Sequence, residues 1–200
     1  MNSVSTVPEA TTAYEKAPAP SAKMGMWWFL ASEIMLFGGL IGSYILYRLA
    51  SGGAWTELAH HISTPIGAIN TFVLLTSSFT MVKAHECVMK ENHRGTRNFL
   101  AYTVGLGLLF LGIKAFEYSM EIAQGYTPVS GMFWSFYYTM TGLHALHVFA
   151  GVVVNFLLLL RAWRGSLWPQ AQHRVEIAGI YWHFVDIVWI FLFPLIYLSY

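Results

Sequence analysis

The sequence predicts an all-α integral membrane protein, a five-transmembrane-helix bundle with a cytoplasmic N-terminus and a periplasmic C-terminus. Three observations carry that prediction. Of 200 residues, 56% are hydrophobic and only 10% charged, whereas roughly a quarter of a soluble domain is charged. Five apolar stretches each reach the ~20 residues that cross ~30 Å of hydrocarbon at 1.5 Å per residue. The Lys and Arg residues gather on alternate connections, as topology by positive charge requires.

Residues 1–22, "MNSVSTVPEATTAYEKAPAPSA", are rich in Ala, Ser, Thr and Pro without an apolar run. They cannot repay the entropy of ordering and read as a flexible cytoplasmic tail. A signal peptide is not expected, because the apolar core is missing and Glu9 and Glu15 stand where positive charge belongs. Residues 23–200 form the five-helix transmembrane domain, with helices at about 24–49, 66–89, 97–120, 131–160 and 176–199. Pro65 suits a first helical turn, "YTPVSG" separates the third stretch from the fourth, and Pro194 predicts a tolerated kink in the fifth. No internal repeat is visible, which argues against an inverted-repeat transporter.

Orientation follows from charge. Lys16 and Lys23 precede the first stretch, Lys83, Lys90, Arg94 and Arg97 surround the second connection, and Arg161, Arg164 and Arg174 occupy the fourth. Arg48 lies on the opposite side and Lys114 inside the third stretch. The formal net charge of +1 excludes the basic excess of a nucleic-acid binder. A single cysteine, Cys87, excludes an intrachain disulfide, a redox pair or a two-cysteine copper site.

Polar side chains within the apolar stretches are costly, and each is a functional candidate. Glu33 in "FLASEIMLF" lies about two and a half turns into the first stretch. Burial penalises the charged form of an unpaired carboxyl there. It is read either as a proton-exchanging group or as a neutral acid bonded to a neighbouring helix. Lys114 and Glu117 in "GIKAFEYS" are three apart and can pair on one face. His144 and His147 in "TGLHALHVFAG", and His183 and Asp186 in "YWHFVDIVW", repeat that spacing. Three such pairs on three helices predict polar stripes that face one another and bond between helices. The alternative is a metal held by His144, His147, His183 and Asp186, or a haem clamped by two of the histidines. Close packing is expected where Gly38 and Gly42 lie four apart, and near Gly105, Gly112, Gly142 and Gly151. No phosphate loop or activated nucleophile is present to define a catalytic centre.

From about Met26 to the C-terminus the motifs "ASEIMLF", "INTFVLLTSSFTMVKAHE", "KAFEYS", "FYYTMTGLHALHVFAG" and "YWHFVDIVWIFLFPLIYL" occur in order. In this the chain resembles subunit III of the haem-copper terminal oxidases, cytochrome c oxidase among them, in its short five-helix bacterial form. The resemblance implies a non-catalytic subunit of the bacterial inner membrane that carries no redox centre itself. Its partner would be catalytic subunit I, within a complex that holds haem and copper, reduces oxygen to water and translocates protons. Such a subunit supports proton uptake and protects the enzyme from inactivation during turnover. Glu33 then matches the family's buried, carbodiimide-reactive glutamate. His144, His147, His183 and Asp186 match motif positions that tie the bundle together.

Bound phospholipid is also implied, with Arg161 as a headgroup candidate, although the two extra N-terminal helices of longer family members are missing here. Glu91, His93, His173 and Glu176 are candidates for a cytoplasmic proton-collecting surface. Cytochrome c oxidase fits "SE" and "YWHFVDIVWIFLF" best. A quinol oxidase subunit III, the related accessory protein of nitric oxide reductases, a b-type cytochrome anchor and a proton-coupled transporter are the alternatives.

Overall fold

A computed structural model describes residues 20–168 and 170–198. Its elements are α1 (Pro20–Ala50), α2 (Ala54–Ala59), α3 (Thr64–Met89), α4 (His93–Ala123), α5 (Met132–Trp163) and α6 (Ala171–Tyr197). Five of these helices, all but α2, are long and apolar enough to cross a membrane. Among the described residues there is no strand. The tail expected at 1–22 falls mostly outside the described residues, and helix begins within it, at Pro20.

Several helices extend beyond the spans expected from hydropathy, most clearly at the starts of α4 and α6, by polar turns. α4 starts at His93 rather than 97, since the Asn92 side chain accepts the Gly95 N–H at 2.9 Å and caps the first turn. α6 likewise starts at Ala171 rather than 176. Its Pro194 is accommodated near the end, where the Pro194 carbonyl accepts the Leu198 N–H at 3.2 Å. Helix α2 has no counterpart in the sequence reading, because six residues are too short to show a period. Gly52 and Gly53, at φ 60° and 98°, turn the chain into it. Trp55 of α2 then seals the ends of α1 and α5, with ring centroids 5.3 Å from Tyr44 and 5.8 Å from Phe133.

α3, α4, α5 and α6 form a closed ring, each packed on the next and α6 on α3. α1 stands outside the ring against α6 and, more lightly, α5. Its seam is narrow: Leu30, Phe37 and Tyr44, seven residues apart, are buried. Trp28, Met35 and Leu46, on the far face, are exposed by 74%, 78% and 69%, as a face turned to lipid or to another protein must be.

Trp182 of α6 is the wedge of the ring. A Cβ placed on Gly151 of α5 would lie 2.6 Å from its indole, and one on Gly107 of α4 would lie 2.9 Å away. Those two glycines let three helices close around one large side chain. The indole N–H groups also bind: Trp182 donates to Ser77 Oγ at 3.0 Å and Trp189 to Thr71 Oγ1 at 2.9 Å, both on α3. Of the glycines singled out from sequence, Gly151 packs as expected and Gly142 makes only an ordinary contact. Gly38, Gly42, Gly105 and Gly112 meet nothing within 4 Å, so their faces are not used inside the chain.

Candidate functional site

Four polar constellations lie within the membrane-spanning helices, and they differ in how completely the protein encloses them. The most enclosed is at Lys114. Lys114 and Glu117, one turn apart on α4, are 2% and 1% exposed and meet at 3.1 Å. Tyr137 of α5 and Tyr197 of α6 donate to Glu117 Oε1 at 2.9 and 2.6 Å. The ammonium also reaches both phenol oxygens. It lies 4.8 to 5.6 Å from the ring centroids of Tyr118, Tyr137, Trp189 and Tyr197. An ion pair out of water is tolerable only when its remaining donors and acceptors are met, and here two phenols and four ring faces meet them. Sequence spacing indicated the pair, and Tyr118, four residues after Lys114, lies on the same helix; the Tyr137, Trp189 and Tyr197 parts of the cage came from α5 and α6 and were not legible. Glu121, buried one turn further on, was also missed, although its i, i+4 position after Glu117 puts it on the same face.

His144 and His147 do not form a pair. Three residues turn a helix by about 300°, so the two rings diverge by about 60°. His144 points into the ring of helices, fully buried, stacked on Trp189 at 5.0 Å and edge-on to Phe110 at 5.7 Å. Neither ring nitrogen has a hydrogen-bond partner among the described residues. His147 turns toward α1 instead. Its Nε2 lies 3.1 Å from Glu33 Oε2, with both side chains about 15% exposed or less.

His147 Nδ1 lies 2.8 Å from the Leu143 carbonyl, which can only accept, so Nδ1 carries a proton. The contact with Glu33 is a close approach of an acid and a base, and Glu33 Oε2 has no hydrogen-bond partner among the described residues. The Tyr181 hydroxyl, donating to the His147 carbonyl at 3.0 Å, ties α6 to the same place.

His183 and Asp186 sit at the middle of α6. The ring Nδ1 is 2.8 Å from Ser78 Oγ of α3 and 3.8 Å from Asp186 Oδ2. Asp186 is 4% exposed but His183 is 37% exposed. The pair thus reaches from the interior to the outer surface, whereas both sequence readings, interhelical bonding and a metal or haem site, placed it facing inward. Ser78, the third member, gave no sequence signal.

The remaining candidates gather at the end of the bundle where α1, α4 and α6 begin. Glu91 is exposed in the turn between α3 and α4 at φ 54°. His93 lies edge-on to Trp168 at 4.2 Å. Glu176 receives Lys23 of α1 at 2.6 Å, and His173 is half-buried one turn earlier. Arg161 is exposed in the last turn of α5, beside exposed Trp163. Among the described residues no three His, Cys, Asp or Glu side chains converge as metal ligands would, and His144, His147 and His183 face different neighbours.

Comparison with known proteins places this arrangement in context. The family model described as cytochrome c oxidase subunit III matches residues 5–199. A cytochrome c oxidase subunit 3 of Thermostichus vulcanus is 35% identical over 88% of this chain and 86% of its own length. A probable quinol oxidase subunit 3 of Staphylococcus aureus is 31% identical over 88% of each. A heme-copper oxidase subunit I+III of Aeropyrum pernix is 35% identical over 90% of this chain, which spans 23% of that longer protein.

Proposed function

The chain belongs to the cytochrome c oxidase subunit III family, and on that premise we propose that it is the non-catalytic subunit III of a proton-translocating cytochrome c oxidase. The family match over residues 5–199 is the observation that carries this reading. It is a multi-pass membrane protein by its five apolar helices, and subunits of its family work within haem-copper oxidase complexes. In this reading its home is the bacterial plasma membrane, with the N-terminus inside, and haem and copper reside in the partner subunits. The fused subunit I+III relative supports catalytic subunit I as the immediate neighbour. Cytochrome c is preferred to quinol as donor on the higher identity, 35% against 31%.

Two finer roles follow. Glu91, His93, His173 and Glu176 at one end of the bundle are proposed to collect protons for the partner, with Glu176 partly held by Lys23. Arg161 is proposed to hold a phospholipid headgroup, since an exposed guanidinium next to an exposed indole suits the membrane interface. The test of the main reading is purification of the tagged chain from its native membrane in mild detergent. Recovery of a haem- and copper-containing partner that consumes oxygen with reduced cytochrome c is expected. Activity with quinol alone would move the chain to the quinol branch, and a colourless chain without oxidase would overturn the proposal.

A further inference from the structure

His183 is out of keeping with its surroundings. It lies near the midpoint of α6, about 18 Å from its start and about 21 Å from its end at 1.5 Å per residue, where a membrane offers no water. Yet its side chain is 37% exposed. Around it the surface of α3 and α6 is apolar: Phe79 of α3 and Ile187, Ile190 and Phe191 of α6 are all 46% exposed or more. A half-exposed imidazole in that setting would face lipid tails that can neither donate nor accept a hydrogen bond.

The ring is also held in place rather than free to turn inward. Ser78 Oγ lies 2.8 Å from Nδ1, and buried Asp186 stands behind it with neither carboxylate oxygen hydrogen-bonded. Whichever tautomer Ser78 selects, Nε2 is left without a partner among the described residues. Glu33 and His147 turn toward each other across α1 and α5, Lys114 is fully caged, and His144, whose ring nitrogens also lack partners among the described residues, is fully buried and cannot reach the surface. A surface intended for lipid has no use for an imidazole fixed from behind and open in front.

We infer that the α3/α6 face centred on His183 is the docking surface for a membrane-spanning helix of the catalytic subunit, which supplies a hydrogen-bonding side chain to His183 Nε2 at mid-membrane. This inference rests on the proposed oxidase partnership and adds to it which face of the chain meets the partner. Apolar contact at Phe79 and Ile187 gives little drive in lipid, so packing and one interhelical hydrogen bond determine the register. At the centre of α1's exposed far face stand Met35, 78% exposed, and Ser32, whose hydroxyl already donates to the Phe29 carbonyl at 2.6 Å.

The test uses the intact complex in its native membrane. A photo-crosslinking benzoylphenylalanine is placed singly at Phe79, Ile187, Met35 and Phe116, the last an exposed position on α4. Cross-links from positions 79 and 187 to the haem-bearing subunit, with none from 35 or 116, are expected. His183→Leu should lower recovery of that subunit several-fold while His183→Gln, which keeps a hydrogen-bonding group, retains most of it. Cross-links to the haem-bearing subunit from 35 or 116 but not from 79 or 187 would overturn the docking surface and leave the oxidase reading intact. Full recovery with His183→Leu, with the chain present at normal levels, would overturn the role of the imidazole. Absence of haem and of any cross-link from all four positions would overturn the oxidase reading itself.

Discussion

The ring α3–α6 and the outlying helix α1 solve the same problem in different ways. Each buries an acid beside a base within a membrane. In the ring, Lys114 and Glu117 are sealed by two phenols and four ring faces, contributed by three helices. At the α1 seam, Glu33 meets His147 alone, in a contact still about 15% exposed. The first arrangement can keep full charges apart from water because every donor has an acceptor. The second is a single close approach of two groups, with no hydrogen bond to Glu33 Oε2 among the described residues, and so makes a weaker tie to a helix that packs lightly. Depth of enclosure, rather than the presence of a charged pair, separates a structural core from a surface that partners can remodel.

The sharpest way to break the comparison is to orphan the enclosed carboxylate. Lys114→Met should cost about 3–5 kcal/mol, because it leaves Glu117 buried without its counter-ion. The expected readout is loss of folded chain from the membrane and a strongly lowered melting temperature in detergent. The double variant Lys114→Met with Glu117→Leu should recover much of that loss; no recovery would show that the cage, not the charge, dominates.

Next comes the wedge. Gly151→Ala forces a methyl to 2.6 Å from the Trp182 indole and should destabilise by about 1–3 kcal/mol. Gly42→Ala on α1 meets nothing and should change the chain's melting by less than about 0.5 kcal/mol. Equal effects at the two positions would mean that α1 is as tightly enclosed as the ring.

The third test is on the α1 seam. Glu33→Gln keeps a polar group of the same shape beside His147 Nε2 and should leave melting within about 0.5 kcal/mol, whereas Glu33→Leu, which removes that polar contact, should cost about 1 kcal/mol. Protease accessibility of the connection at Gly52 and Gly53, compared in the two variants, checks whether α1 loosens. The smallest effect is expected at Lys23→Met. That pair with Glu176 is 44% and 33% exposed on its two sides, and pairs of this kind contribute under about 1 kcal/mol. A larger loss there would show that α1 is anchored at its end rather than along its seam.

Much of this molecule was legible from the sequence. The five spanning helices came from runs of apolar residues, and the Lys114 with Glu117 pair from spacing on a single helix. Both are properties summed along one dimension, by length, hydropathy and i, i+3 geometry, and need no knowledge of neighbours. The partners across helices were not legible. His144 and His147 share a helix and a motif, yet one is buried on Trp189 and the other meets Glu33. Gly38 and Gly42 look like a packing face and touch nothing, while Gly107, which gave no signal, receives Trp182. His183 and Asp186 read as one buried pair, and the structure turns the acid inward and the imidazole outward. The physical reason is rotation about the helix axis. Each residue advances the side chain by about 100°, so which helix it faces depends on how neighbours seat against one another. That seating is set by side chains such as Trp182, distant in sequence, and only the tertiary structure decides it.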